Sequence, residues 1–359
     1  MRIALISPYS IGPIRGNITT IERISRFLRQ AGADVLVLPA DTIPVAEMER
    51  QLISFSPQLI HGFHAHYCGG IAQHLAESLD LPFIITITGS DLHDPLLRDH
   101  SASVRAIEAA QSVVCFGIGE AAKLVSYFPQ IEERVAVISQ GVEVLPVAAT
   151  DNFGIPDDAF VLLLPAAVRP VKQVEFPLLA LESLVHSSPL IRLVLAGGVI
   201  DQDYAATIRG MLCDAPYATW LGETPHEQMG ALYTRADIVL NCSHSESMSN
   251  TVLEAMALGR PMLVSDIPGN QMLVRHRDTG LLYKDQESFL KGVVTLMNDA
   301  RLRADLGRRA GEYISNSYSP QHEAAEYIRL YRSLTAKGYG NADMSTVEGG
   351  VRNDSSKQP

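Results

Sequence analysis

Short apolar runs alternate along the chain with longer segments in which apolar residues recur at helical spacing. In the first half, the apolar runs predict strands at Arg2–Ser7, Asp34–Leu38, Leu59–Gly62, Phe83–Ile87, Ser112–Phe116 and Val135–Ile138. The segments between them predict helices at Thr19–Gln30, Ala46–Phe55, Gly70–Leu79, Val104–Ala110 and Glu120–Tyr127. Continuously apolar strands that alternate with helices are typical of a parallel, doubly wound α/β sheet.

The same alternation restarts after a loose segment, Gly141–Asp158, that contains proline and glycine. Second-half strands are predicted at Phe160–Pro165, Arg192–Ala196, Thr219–Leu221, Ile238–Asn241, Pro261–Val264 and Gly280–Tyr283. We therefore predict two Rossmann-like domains, residues 1–145 and 146–318. Ligands of open α/β sheets bind beyond the carboxyl ends of the strands, so the cleft between the domains is the expected site.

A last helical pattern, Gln321–Leu334, follows the break at Tyr318-Ser319-Pro320 and is assigned to a separate element, residues 319–336. The remaining residues, 337–359, are rich in Gly, Ser, Asp and Asn and contain almost no large apolar residues. This composition predicts a disordered tail.

The composition excludes several classes of function. The 40 acidic residues outnumber the 29 basic ones and give a net charge of -11, which disfavours binding to nucleic acid. The apolar runs are too short for a signal peptide or a membrane span, although peripheral membrane contact stays open. None of the cysteines has metal-ligand spacing, so we expect reduced, buried thiols and a cytoplasmic protein. The cysteines are Cys68, Cys115, Cys213 and Cys242.

Two carboxylates, Glu246 and Glu254, flank small polar residues that are suited to open a helix. The first amides of a helix are unpaired donors that can hold a polar or anionic ligand. A ligand with two sets of hydroxyls, such as a nucleotide sugar, would suit carboxylates at this spacing. On its own, the spacing favours a surface helix that carries two solvated glutamates, because glutamate is common on helices.

Two cations three positions apart, Arg169 and Lys172, follow the predicted strand Phe160–Pro165. An arginine fork and a lysine point charge beyond a strand can clamp two phosphoryl groups, unless they are ordinary surface cations. The glycine-containing loop Gly12–Asn17 lies between the first strand and the first helix. Its backbone can approach a phosphate, but it does not match the dinucleotide fingerprint.

A G-x-G-x-x-A pattern at Gly117–Ala122 does match that fingerprint and supports a dehydrogenase as an alternative. It follows the fifth predicted strand and not the first, and the next strand, Val135–Ile138, does not end in an acidic residue that could hold a ribose. A tight turn with close helix packing is the interpretation that we favour.

Three further groups of residues need an explanation. The loop that contains Asp91 leaves the fourth strand toward the cleft, where Asp91 could accept a proton or a sugar hydroxyl, or cap the next helix. His61, His64 and His66 lie close in sequence, but a metal site would need ligands that the spacing does not offer. On a strand, His64 and His66 would share a face, and one imidazole would line the cleft. Asp201-Gln202-Asp203 is a D-x-D pattern, which we interpret as a helix cap.

Taken together, these segments resemble the retaining family 4 glycosyltransferases of the GT-B fold. The matching segments, which extend from residue 1 to about 335, are the loop at Gly16, Gln140–Glu143, Arg169…Lys172, Leu195–Gly198, Trp220–Glu223, Glu246…Glu254 with Ala255–Pro261, Ile267–Asn270 and Thr279–Tyr283. Their combination is most similar to the glycosyltransferase 1 domain-containing proteins, and more distantly to the bacterial selenosugar synthases.

The resemblance implies two Rossmann-like domains that face each other across a cleft, with the last helix crossing back to the first domain. Arg169 and Lys172 would bind the donor diphosphate, Glu246 the donor sugar and Glu254 the ribose. Gly16, Asn17 and the amides of Ser247, Met248, Ser249 and Asn250 would complete the donor site. No metal or other cofactor is expected, and a UDP-linked donor is favoured over a GDP-linked one.

Two positions depart from the family pattern. Ser247 replaces the usual glycine after the first glutamate, and the family's histidine at the fourth-strand loop is absent, so that Asp91 is a candidate to replace it. The predicted catalytic residues are therefore Asp91, Arg169, Lys172 and Glu246. A sugar-nucleotide epimerase or phosphorylase, and a non-catalytic nucleotide-sugar-binding module, stay open as alternatives. The sequence indicates neither the acceptor, which could be a small molecule, nor the oligomeric state.

Overall fold

The computed structural model describes residues 1–10, 16–147 and 153–336 and contains two parallel sheets in that part of the chain. The first sheet has the order β2-β1-β3-β4-β5-β6. Its strands are β1 Arg2–Ser7, β2 Asp34–Pro39, β3 Leu59–Phe63, β4 Phe83–Thr86, β5 Ser112–Cys115 and β6 Val135–Val137. In the second sheet the order is β12-β11-β10-β7-β8-β9. Its strands are β7 Phe160–Pro165, β8 Ile191–Ala196, β9 Ala218–Trp220, β10 Ile238–Asn241, β11 Met262–Ser265 and β12 Leu281–Tyr283.

Helices cover both faces of each sheet, because the central strands are buried on both sides. On the first sheet they are α1 Gly16–Gln30, α2 Val45–Phe55, α3 Gly70–Leu79, α4 Ser90–His93, α5 Pro95–Arg98, α6 Ser101–Ala109 and α7 Ile118–Tyr127. On the second they are α8 Glu175–Val185, α9 Gln202–Cys213, α10 His226–Arg235, α11 Asn250–Ala257, α12 Pro268–Gln271, α13 Gln286–Asn298 and α14 Ala300–Ser317. This architecture confirms the predicted α/β class with two Rossmann-like domains.

The last helix, α15 (Pro320–Ala336), returns to the first domain and packs on its sheet, as predicted. Tyr327 and Tyr331 are fully buried there. His61 of β3 bonds the Tyr331 hydroxyl through Nδ1 at 2.8 Å and Thr86 Oγ1 through Nε2 at 2.7 Å. Burial lowers the pKa of His61 to about 3, so the imidazole is neutral and serves to dock this helix.

The two connections between the domains run side by side. The Val142 amide donates to the Tyr318 carbonyl at 2.9 Å, and a Cβ on Gly141 would lie 2.4 Å from the Cα of Pro320. Only glycine leaves room for this contact.

Two sequence-based predictions concern residues that the structure does not describe, and a third prediction is wrong. The predicted disordered tail, 337–359, and the first part of the Gly12–Asn17 loop are not among the residues described. The strand that was to place His64 and His66 on one face ends at Phe63. His64 has a positive φ of 80°, and His66 lies in the helical turn Ala65–Gly69 that follows.

Candidate functional site

A cavity of about 600 Å³ lies between the two domains, where the carboxyl ends of strands from both sheets meet. Its walls contain most of the residues that the sequence predicted. They are Gly16, Asn17, Arg169, Lys172, Glu246, Ser247, Met248, Ser249, Asn250 and Glu254. Asp91 is the one predicted site residue that does not line the cavity. The fold therefore brings residues together that are far apart in the sequence. The largest separation, between Gly16 and Glu254, is 238 positions.

Lys172 and Glu246 form an ion pair in the wall of the cavity. The lysine ends a short 3₁₀ turn, Pro170–Lys172, that follows β7, and its Nζ lies 2.5 Å from Glu246 Oε1. The same oxygen accepts hydrogen bonds from Ser243 Oγ at 2.6 Å and Asn241 Nδ2 at 3.1 Å. Burial opposes ionisation of Glu246, but Lys172 and these hydrogen bonds outweigh it and lower the pKa of the carboxyl.

Arg169 precedes this turn and also lines the cavity. Its Nε is buried and has no hydrogen-bond partner among the described residues. A buried guanidinium N–H without a partner is unfavourable unless a ligand completes it. Arg169 and Lys172 thus bring two positive charges to the cavity, and Arg169 also offers an N–H donor without a partner among the described residues.

The 246–250 loop (Glu246–Asn250) leads into α11, which begins at Asn250. Ser249 is the residue before the helix, but its hydroxyl does not cap the helix. It bonds Thr251 Oγ1 at 3.0 Å and accepts from Asn241 Nδ2 at 3.4 Å. The Ser249 hydroxyl therefore does not compete for the first amides of α11, where the helix dipole favours an anionic or polar ligand.

Glu254 lies one turn into α11 and also lines the cavity. Its Oε1 lies 2.9 Å from His226 Nε2, and its Oε2 accepts from the Tyr233 hydroxyl at 3.0 Å. The hydrogen bond to Glu254 raises the pKa of His226, and burial raises the pKa of Tyr233 well above its usual value. These two donors fix the carboxylate in one orientation.

Gly269 of α12 lies against the backbone of the 246–250 loop. A Cβ at this position would lie 2.2 Å from the Glu246 carbonyl oxygen and 2.7 Å from that of Ser247. Asn270, the next residue, donates to Asn241 Oδ1 at 3.1 Å and to the Ser265 carbonyl at 2.9 Å. The Ile267–Asn270 segment thus supports the loop from behind and does not contact the ligand space.

The first domain holds the start of α11 through a polar network that sequence reasoning did not find. The Gln140 amide donates to the Met248 carbonyl at 2.9 Å, and Asn250 Nδ2 donates to the Gly16 carbonyl and to Thr20 Oγ1, both at 3.0 Å. Behind them, Arg23 forms a buried, bidentate pair with Glu323 of α15, with N–O distances of 3.0 and 3.1 Å. Although Gly16, Gln140 and Asn250 lie in segments singled out above, no local motif predicts these contacts, because the partners are 108 to 300 positions apart.

The position of Asp91 does not match the predicted contact with a sugar or acceptor. Its side chain is fully buried and accepts hydrogen bonds from the amides of Ala65, Thr88 and Gly89, at 2.8, 3.0 and 2.9 Å. The carboxylate is therefore used to hold the loop after β4. Neighbours of Asp91 face the cavity instead, among them Thr88 and Ser90.

Of the three histidines His61, His64 and His66, His64 lines the cavity. The sequence predicted that one imidazole of this group would do so. Its Nδ1 accepts from the amides of His66 and Tyr67, at 3.2 and 3.3 Å, and its Nε2 lies 2.9 Å from Ser90 Oγ. Burial lowers the pKa of His64, so the ring is neutral and its proton resides on Nε2. The residues that the structure describes contain no group of three or more His, Cys, Asp or Glu placed to hold a metal ion.

Two motifs receive structural explanations. Asp201 is the N-cap of α9 and accepts from the Tyr204 amide at 3.0 Å, which confirms the interpretation of the D-x-D pattern as a cap. A Cβ on Gly117 would lie 2.0 Å from the sulfur of Met272, so this glycine permits close packing of one domain on the other. The first glycine of the G-x-G-x-x-A pattern thus has a packing role between the domains, whereas a Cβ on Gly119 would have no atom within 4 Å.

Comparison with known proteins identifies a glycosyltransferase domain in the second half of the chain. Residues 148–313 match the family model described as glycosyl transferases group 1. The chain is 26% identical over 337 residues to glycosyltransferase 1 domain-containing protein 1 of Xenopus tropicalis, covering 90% of this chain and 96% of that protein. It is 24% identical to D-inositol 3-phosphate glycosyltransferase of Thermobispora bispora, covering 77% and 74% of the two chains.

Solved structures give the fold. Sucrose-phosphate synthase from Thermosynechococcus elongatus superposes with a TM-score of 0.81, at 19% identity, and covers 94% of this chain and 99% of that one. HepE from Anabaena, in complex with UDP-glucose, has a TM-score of 0.74 at 18% identity and covers 93% and 100%. In the described residues, no helix is long and apolar enough to cross a membrane. The chain therefore contains a group 1 glycosyltransferase domain, is similar over most of its length to glycosyltransferases, and has the GT-B fold.

Proposed function

We propose that the cavity binds a nucleotide-diphosphate sugar, and that the enzyme transfers the sugar to an acceptor nucleophile with retention of anomeric configuration and without a metal. The observation that carries the proposal is that Arg169, Lys172 and the start of α11 line one cavity together with the carboxylates Glu246 and Glu254. Two cations and helix amides suit a diphosphate, and two carboxylates suit two sets of hydroxyls.

In this arrangement the diphosphate lies against Arg169, Lys172 and the first amides of α11. Glu246, held by Lys172, accepts from hydroxyls of the transferred sugar, and Glu254 accepts from the ribose. A UDP-linked donor is favoured, in agreement with the structures of HepE in complex with UDP and with UDP-glucose.

The chemical step breaks the bond between the anomeric carbon and the diphosphate oxygen, and forms a bond from that carbon to the acceptor on the same face. The electrons of the broken bond remain on the diphosphate, whose growing charge the two cations and the helix amides offset. The acceptor's proton passes to the departing phosphate oxygen. The acceptor enters from the first domain, whose cavity wall includes Tyr9, Asn17, Thr88, Ser90 and His93.

A thermal-shift panel tests the donor class. UDP-glucose, UDP, GDP-mannose, NAD and NADP are compared, and UDP-linked ligands are expected to raise the melting temperature most. A ligand at 100 times its dissociation constant stabilises by about 2.7 kcal/mol, which is readily measured. Stabilisation by NAD or NADP with none by any nucleotide diphosphate would contradict the proposal. Proton NMR of the reaction separates transfer with retention from epimerisation, since an epimerase changes the nucleotide sugar without an acceptor.

A Gly269→Ala substitution is expected to lower donor affinity at least about tenfold and the free energy of unfolding by about 1–3 kcal/mol. The added methyl group would overlap the Glu246 carbonyl, so the 246–250 loop must move. Urea unfolding and isothermal calorimetry measure the two effects. Gly210→Ala is the matched control, because position 210 is an exposed site in α9 with no atom within 4 Å of an added Cβ. Unchanged donor affinity in Gly269→Ala would show that the loop does not bind the donor.

A further inference from the structure

The Gly117–Ala122 segment has no part in the donor site described above, yet it contacts the other domain at that site. Its first glycine, Gly117, packs against Met272. Its carboxylate, Glu120, lies in the first turn of α7 and is only 5% exposed. A carboxylate buried at a domain interface requires partners.

Glu120 finds its main partner across the cleft. The Ser247 hydroxyl donates to Glu120 Oε1, and the Phe116 amide lies 3.3 Å from Oε2. Ser247 is itself buried, and a Cβ on Gly89 would lie 3.1 Å from its Oγ. Two loops of the first domain therefore enclose one side chain of the 246–250 loop.

The position of Glu120 is supported from behind. Lys123 Nζ lies 2.8 Å from His93 Nδ1, so the ammonium donates to that nitrogen and the ring proton resides on Nε2. His93 Nε2 in turn lies 3.8 Å from Glu120 Oε1. Lys123 thus orients the His93 ring so that its N–H lies near the carboxylate that accepts from Ser247, although too far for a hydrogen bond.

We propose that Glu120 is a positioning residue that holds the 246–250 loop, through Ser247, in the conformation that binds the transferred sugar. The inference rests on the proposed donor site for its functional consequence, but not for the contact itself. A hydrogen bond to a buried carboxylate is charge-assisted and directional. Because the partners belong to different domains, the bond forms only when the cleft is closed around the loop.

The first test needs no nucleotide. Hydrogen–deuterium exchange is measured on the ligand-free full chain with Ser247→Ala, and with Ser126→Ala as the control on the exposed face of α7. In Ser247→Ala, amides of residues 248–250 and of residues 116–120 are expected to exchange about tenfold faster. The control should leave both segments unchanged. Acceleration confined to residues 248–250, or no acceleration, would overturn the positioning role.

The second test separates sugar binding from nucleotide binding. Ser247→Ala and Glu120→Ala are each expected to weaken UDP-glucose binding about tenfold while UDP binds as in the wild type. The double variant should lose no more than either single one, and Glu120→Gln, which keeps an acceptor oxygen, should recover most of the affinity. Equal losses for UDP and UDP-glucose, or additive losses in the double variant, would overturn the proposal.

The two tests fail in different ways. If the wild type binds neither UDP nor UDP-glucose, the proposed donor is wrong, and the exchange experiment still decides whether Glu120 holds the loop. If the wild type binds UDP-glucose and Ser247→Ala binds it equally well, the donor stands and the role of Glu120 does not. Should Glu120→Ala fail to fold, Ser247→Ala alone carries both measurements.

Discussion

Replacing Lys172 with alanine is expected to reduce turnover by about 100- to 1000-fold, because the departing diphosphate loses one of the two cations that offset its charge. Initial rates of nucleoside diphosphate release at saturating donor measure the effect. The Lys284→Ala variant is the matched control, since Lys284 is 79% exposed and lies 3.6 Å from Asp266, away from the cavity. Turnover close to that of the wild type in Lys172→Ala would remove this residue from the mechanism.

The same substitution has a measurable effect on stability. In the wild type the pKa of Glu246 is lowered, so its stabilising contribution is present above the ordinary pKa of a glutamate and is lost as the pH falls through the lowered value. Without Lys172, burial dominates and the pKa of Glu246 rises, so we expect the acid-side loss of stability to begin at higher pH. A Lys172→Ala/Glu246→Gln double variant should restore stability but not turnover, which separates folding from catalysis.

Glu254→Ala is expected to weaken nucleotide binding by about 10- to 100-fold and to abolish turnover, because two hydrogen bonds from ribose hydroxyls to a charged acceptor are lost. The fold should persist, although the substitution leaves the buried Tyr233 hydroxyl without the carboxylate that accepts its hydrogen bond. Calorimetry with UDP measures the loss directly.

Glu227→Ala is the control for this second experiment. Glu227 is an exposed glutamate in α10, adjacent to His226, and does not line the cavity. Its removal should leave UDP affinity unchanged. If Glu254→Ala binds UDP as tightly as the control does, the ribose contact must be assigned to another residue.

The sequence predicted those parts of the site whose chemistry is local. Arg169 and Lys172 follow a strand directly, and Glu246 and Glu254 flank a helix start, so their placement follows from neighbouring residues. Strand bounds were predicted within a few residues, because buried parallel strands are continuously apolar.

The sequence could not predict contacts whose partners are distant. Asp91 was assigned to the cavity because it lies in a strand-end loop, but the amide of Ala65, 26 positions earlier, helps to turn its carboxylate inward. The pairs Glu120–Ser247 and Arg23–Glu323 join segments 127 and 300 positions apart. Such contacts depend on how the two domains pack, and neither periodicity nor a short motif encodes that.

The return of α15 to the first domain has a consequence for the order of events during synthesis. The first sheet buries one face under Ala324, Tyr327 and Tyr331, which the ribosome adds about 300 residues after β1. Until those residues emerge, α1 alone packs on that face, and the part beneath α15, with the His61 side chain, is uncovered even though the strands of the first sheet are already complete. Amino-terminal domains often fold before the rest of a chain is made, but here the second domain is synthesised while the first still waits for its last helix.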